Sequence, residues 1–111
     1  MVLFLFFVGH ALADFALQPD VMAKLKSRKN KPDWIPDGQK YVPCWYYWLT
    51  AHSLIHGGVV ALITGSVWLG IAELVVHWAA DFAKCEGWTN PNGDQAIHGT
   101  SKIAWWVLWL I

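Results

Sequence analysis

Charged residues are scarce in this chain. Aspartate, glutamate, lysine and arginine make up 14% of its 111 residues, against about 25% in an average soluble domain. Eight basic residues balance eight acidic ones. With no basic excess and no basic stripe, the phosphate neutralisation that drives nucleic-acid affinity is missing, and a nucleic-acid partner is excluded. Two cysteines, Cys44 and Cys85, form neither a Cys-x-x-Cys motif nor a disulfide framework and are expected as free thiols. No Gly-x-Ser-x-Gly elbow surrounds Ser53, so nothing marks a serine nucleophile. Internal repeats and low-complexity tracts are also absent, and the length limits the chain to one domain.

Apolar residues, by contrast, are abundant: 56% of the chain, including nine tryptophans. They gather in four stretches, Val2 to about Leu17, Pro43 to Ile63, Val67 to Ala83 and Ala96 to Ile111. Each is close to the roughly 20 residues that a helix needs to cross a bilayer core of about 30 Å. The expected architecture is all-α, a four-helix transmembrane bundle in a single membrane domain over 1–111, with helices at about 2–18, 43–63, 67–84 and 94–111. A signal peptide ending near Ala11-Leu12-Ala13 ranks second, because no Lys or Arg precedes the apolar run.

The polar segment 20–42 holds Lys24, Lys26, Arg28, Lys29, Lys31 and Lys40, six of the eight basic residues. The positive-inside rule makes this loop cytoplasmic and puts both termini in the periplasm, as a multi-pass protein of a bacterial inner membrane. Trp45, Trp48, Trp68, Trp105, Trp106 and Trp109 fall where an interfacial aromatic belt is expected, whereas Trp78 is expected to pack the interior. Membrane lipid is then the expected partner, with Lys24 and its neighbours either touching anionic headgroups or only setting topology.

Five histidines lie in these apolar stretches, and their spacing is not scattered. His10 pairs with Asp14, His52 with His56, His77 with Asp81, and Asp94 with His98, each at i, i+4. Such residues share one helical face about 5–6 Å apart, so each helix presents one polar face. Glu73 extends the third face by a turn. The expected topology brings all of these groups to one layer near the cytoplasmic leaflet, where ionisable groups face a bundle interior and mark a function.

Three explanations compete. Imidazole and carboxylate donors suit a divalent metal, zinc first, and two histidines at i, i+4 hold zinc in the HExxH arrangement. Chains of Asp, Glu and His also form proton or ion paths. Interhelical hydrogen bonds could simply join the bundle. On the metal reading the ligands are His10, His52, His56, His77, Asp81 and His98, and Asp14, Asp94 and Glu73 are the catalytic acid/base candidates, with enough donors for a second ion. The corresponding activity is metal-dependent hydrolysis of an ester or phosphoester in a lipid or lipid-linked substrate. The alternative is a non-enzymatic membrane module, either an ion path or a binder of a host-membrane partner. Gln18 and Gln95 are candidate hydrogen-bond partners beside the acids. Lys84 either pairs with Asp81 or extends to the interface. Gly57-Gly58 lets a neighbouring helix approach. Four short helices leave little room to enclose so many polar groups, which favours a homo-oligomer.

His10-x-x-x-Asp14-Phe15-x-Leu17-Gln18, Lys24, His52-x-x-x-His56, His77-x-x-x-Asp81-x-x-Lys84 and Asp94-Gln95-x-x-His98 together resemble a family of small phage and bacterial membrane proteins catalogued as domain of unknown function 3307. Ala13 stands where that family often has Gly, a difference that bears on helix packing. The resemblance implies a phage or bacterial origin and no particular activity. More distantly, the pattern is similar to inner-membrane proteins described as metal-dependent hydrolases and to the ligand set of zinc phospholipase C, an analogy of pattern alone.

Overall fold

The computed structural model describes residues 1–30, 37–38 and 45–111. It is all-helical, with no strand among the described residues. Cys44, Lys31, Lys40 and the first two residues of the helix expected from 43 lie outside the described residues. Among the described residues five α-helices follow in chain order: α1 Val2–Ala11, α2 Asp20–Leu25, α3 Trp45–Thr64, α4 Val67–Cys85 and α5 Pro91–Leu110.

Helix α1 does not simply stop. It widens into a π-helical turn, Leu12–Ala16, closed by the Leu17 amide donating to the Leu12 carbonyl at 2.8 Å. Such turns rotate the side chains that follow and recur at functional sites; Asp14 lies at the centre of this one. After Pro19, the short α2 leads a basic run back onto the end of α4. Lys29 Nζ donates to the Glu86 carbonyl at 2.7 Å, Arg28 pairs with the Glu86 carboxylate, and the Arg28 guanidinium lies 5.4 Å from the Phe82 ring. Cations are favoured at a helix C-terminus, where unpaired carbonyls gather.

Helices α3 and α4 form a tight hairpin. Gly65 at φ 71° turns the chain, and the Ser66 hydroxyl caps α4 by accepting from the Leu69 amide at 3.3 Å. Across the hairpin, Gly57 and Gly70 meet so closely that a Cβ on Gly57 would lie 2.6 Å from the Gly70 carbonyl oxygen; Gly58 faces open space. At the start of α5, the Asn90 side chain accepts from the Gly93 amide at 2.6 Å and Pro91 fills the first turn. An Asn-Pro pair is a sound helix start, which is why α5 begins three residues before Asp94.

The faces turned inward are the polar ones. Buried positions are His52, Ser53, His56 and Gly57 on α3, Gly70, Glu73, His77, Ala80 and Asp81 on α4, and Asp94, His98, Ser101 and Lys102 on α5. Phe6, Ala13, Leu49 and Val60 supply apolar packing, while Phe4, Phe15, Leu62, Trp68, Val75 and Leu110 point outward. Half-buried Trp78 donates to the Thr50 hydroxyl at 3.2 Å and stacks on Phe82.

One expectation fails here. Among the described residues no helix is long and apolar enough to cross a membrane. Helix α1 has ten residues before its π-turn; α3, α4 and α5 are long enough, but their interior turns carry the imidazoles, carboxylates and lysines of the buried faces. The multi-pass transmembrane assignment is therefore corrected. The inner-membrane location, the periplasmic termini and the cytoplasmic loop derived from it lose their basis.

Candidate metal centre

The four i, i+4 pairs converge on one buried cluster. The π-turn carries Asp14 to α3, where its Oδ1 lies 2.8 Å from His56 Nε2 and 3.4 Å from His52 Nε2. His77 Nε2, from α4, lies 3.2 Å from His52 Nε2. Asp14, His52, His56 and His77 thus offer one donor atom each, all within 4.8 Å of one another. Donors about 2.0–2.1 Å from a tetrahedral zinc stand roughly 3.3 Å apart; three of the measured separations fall within half an ångström of that value. Two imidazole Nε2 atoms facing each other need either a shared proton or a cation between them.

A second group adjoins the first: His77, Asp81 and His98 also bring donor atoms within 4.8 Å. Asp81 looks both ways. Its Oδ2 is 3.4 Å from His52 Nε2, and its Oδ1 is 3.6 Å from His98 Nε2. Asp94 Oδ1 stands 3.2 Å from His98 Nε2. These imidazole and carboxylate donors fit a divalent transition metal.

The remaining predicted residues surround this core. His10 Nε2 sits 3.1 Å from both Asp14 Oδ2 and Gln95 Oε1, while Gln95 Nε2 donates to Asp14 Oδ2 at 3.3 Å. These two side chains fix the carboxylate face turned away from His52 and His56. Glu73 lies behind the cluster rather than in it. Its carboxylate accepts from Lys102 Nζ and Trp105 Nε1, each at 2.5 Å, and faces His77 Nδ1 at 3.5 Å. A carboxylate on the far side of a ligating imidazole favours the proton on Nδ1 and leaves Nε2 free to bind metal.

Two lysines of the cluster were not expected as part of it. Lys26, 5% exposed, donates to Asp81 Oδ2 at 2.6 Å and to Gln18 Oε1 at 2.7 Å. Lys102 neutralises Glu73. Within a basic run, nothing in the sequence separates Lys26 from Lys24 or Lys29. Lys102 carried a usable signal, because it and Glu73 are opposite charges set in otherwise apolar stretches.

Burial and charge set the protonation of the metal-free cluster. Burial pushes His56 down to about 3 and His77 down to about 4, against the pull of nearby carboxylates. Burial raises Asp14, but the His10, His52 and His56 rings outweigh it and hold the carboxyl well below its usual range. Asp81 is likewise raised by burial and lowered further by His98 and Lys26. His98 goes the other way: burial disfavours its charge, yet Asp81 and Asp94 lift it to about 9. At neutral pH His56 and His77 are therefore poised as lone-pair donors, and His98 is a cation between two carboxylates.

A family model described as "Protein of unknown function (DUF3307)" matches residues 2–108. No curated protein and no solved structure matches the chain. The distant likeness to metal-dependent hydrolases thus gains no support from these comparisons, and the membrane setting expected for such an activity falls with the membrane spans.

Proposed function

For this chain, which belongs to the DUF3307 family of proteins of unknown function, we propose a role as a divalent-metal-binding protein that holds one ion, zinc by its donor chemistry, on Asp14, His52, His56 and His77. The observation that carries this reading is the convergence of three imidazole nitrogens and one carboxylate oxygen within 4.8 Å, from three separate segments of the chain. Three imidazoles and one carboxylate are borderline donors that suit zinc over magnesium or calcium.

Four protein donors fill a tetrahedral shell, as in structural zinc sites, whereas hydrolytic sites keep a position for water. The arrangement therefore favours an ion that ties the π-turn, α3 and α4 together over one that cleaves a lipid ester. Metal binding of this kind is coupled to folding stability. Elemental analysis of chelator-free, full-length protein tests the reading. About one equivalent of a transition metal is expected, and a content below about 0.2 equivalents after incubation with zinc would refute it.

A further inference from the structure

The other half of the cluster contains polar atoms that the first ion leaves without a role. His77 has one Nε2 and is used by the first ion, so Asp81 Oδ1, Asp94 and His98 Nε2 remain. Asp94 is 0% exposed and His98 1%; among the described residues the Asp94 oxygens and His98 Nε2 make no well-formed hydrogen bond and meet each other, Asp81 and the Lys84 ammonium as ion pairs. Buried groups of this kind ask for an explanation, and an ion is a common one.

Among the described residues, the lysine that reaches these oxygens is Lys84. Its ammonium lies 3.1 Å from Asp94 Oδ2 and 3.5 Å from Asp81 Oδ1. Unlike Lys26, which is buried on Asp81 Oδ2, Lys84 is 30% exposed at the last turn of α4. Its long stem can carry the charge out to solvent without unfolding anything.

We propose that Asp81 Oδ1, Asp94 and His98 Nε2 form a second, exchangeable divalent-cation site whose place the Lys84 ammonium holds until an ion displaces it. This rests on the reading that the first ion sits on Asp14, His52, His56 and His77. Asp81 then stands between the two positions, its Oδ2 held by Lys26 and its Oδ1 turned to the second. Two carboxylates and one imidazole make this position richer in oxygen than the first, which suits Mn²⁺ as well as Zn²⁺. Competition from Lys84 makes it the weaker of the two.

The test is a titration of full-length protein already loaded with one equivalent of zinc, using Mn²⁺ and reading free Mn²⁺ by electron paramagnetic resonance. The wild type is expected to take up one Mn²⁺ and to release it on dilution. Lys84→Met is expected to bind that Mn²⁺ about tenfold or more tightly, and Asp94→Asn to lose it while keeping its zinc. Lys84→Gln repeats the first comparison if the methionine variant does not fold. Absence of Mn²⁺ binding up to about 1 mM in the one-zinc protein overturns the proposal, as does an Asp94→Asn variant that binds Mn²⁺ like wild type. A Lys84 variant with unchanged Mn²⁺ affinity overturns the displacement. Failure to hold the first zinc is a different result, since it removes the reading of the Asp14 site itself.

Discussion

Gly57→Ala should weaken metal binding without touching a ligand. The new Cβ would sit 2.6 Å from the Gly70 carbonyl oxygen and 3.1 Å from Leu74 Cβ, whereas ordinary contact begins near 3.4 Å. Relief requires α3 and α4 to part by about 0.8 Å, the difference between 3.4 and 2.6 Å. The His52–His77 separation would then grow from 3.2 Å to roughly 4.0 Å, past the roughly 3.3 Å that a tetrahedral ion spans. Overpacking of this size costs about 1–3 kcal/mol of stability, and misplacing a ligand pair costs about 10- to 100-fold in affinity. Gly58→Ala is the internal control. Its Cβ meets nothing within 4 Å, and replacing an exposed helical glycine gains up to about 1 kcal/mol. Zinc titration against a competing chelator, with thermal melts of both variants, reads the two effects together. Zinc affinity in folded Gly57→Ala within about twofold of wild type would refute the argument that helix separation sets the donor geometry.

Asp14→Asn and His77→Ala should each lower zinc affinity by about 100-fold or more, since a site worth some 10–16 kcal/mol divides among four ligands; competition titrations on variants with native circular dichroism check this. Zinc at about 100 times its Kd should stabilise the protein by about 2.7 kcal/mol, seen as a rise in Tm of roughly 10 °C or more that chelator reverses. Lys102→Met strands the buried Glu73 carboxylate and should cost about 3–5 kcal/mol in denaturant unfolding, with much of the loss recovered in Glu73→Gln/Lys102→Met. The metal-free protein should be most stable near neutral pH. His56 at about 3 and His77 at about 4 lie below the ordinary histidine value, so their contribution is present above about 6.5 and is lost as pH falls toward those values. His98, raised to about 9, contributes fully below about 6.5 and loses that contribution as pH rises through 9. A Tm profile of chelated protein that climbs steadily from pH 6 to 10 would contradict the His98 assignment.

The i, i+4 spacing of His10 and Asp14, His52 and His56, His77 and Asp81, and Asp94 and His98 made the polar faces legible, because helical periodicity follows from backbone geometry alone. Apolar length was a poorer guide. The same stretches that suggested membrane crossing carry the cluster, and those polar turns leave no described helix apolar enough to span. Helix starts were partly legible too: α4 begins at the expected residue 67, whereas α5 begins at Pro91, three residues before the expected 94, where the Asn90-Pro91 pair starts it.

What the sequence determined by itself is which residues share a face and that four faces are polar. Tertiary structure decided which faces meet. The π-turn that aims Asp14 at His56, the Gly57–Gly70 contact that brings His52 to His77, and the return of α2 that seats Lys26 on Asp81 all depend on contacts between segments far apart in the chain. A buried charge is stable only with its partner in place, and the partners of Glu73 and Asp81, Lys102 and Lys26, stand 29 and 55 residues away. Local spacing cannot encode such pairs, so the sequence supplied the donors and only the fold sorted them into ligands, orienting groups and counter-charges.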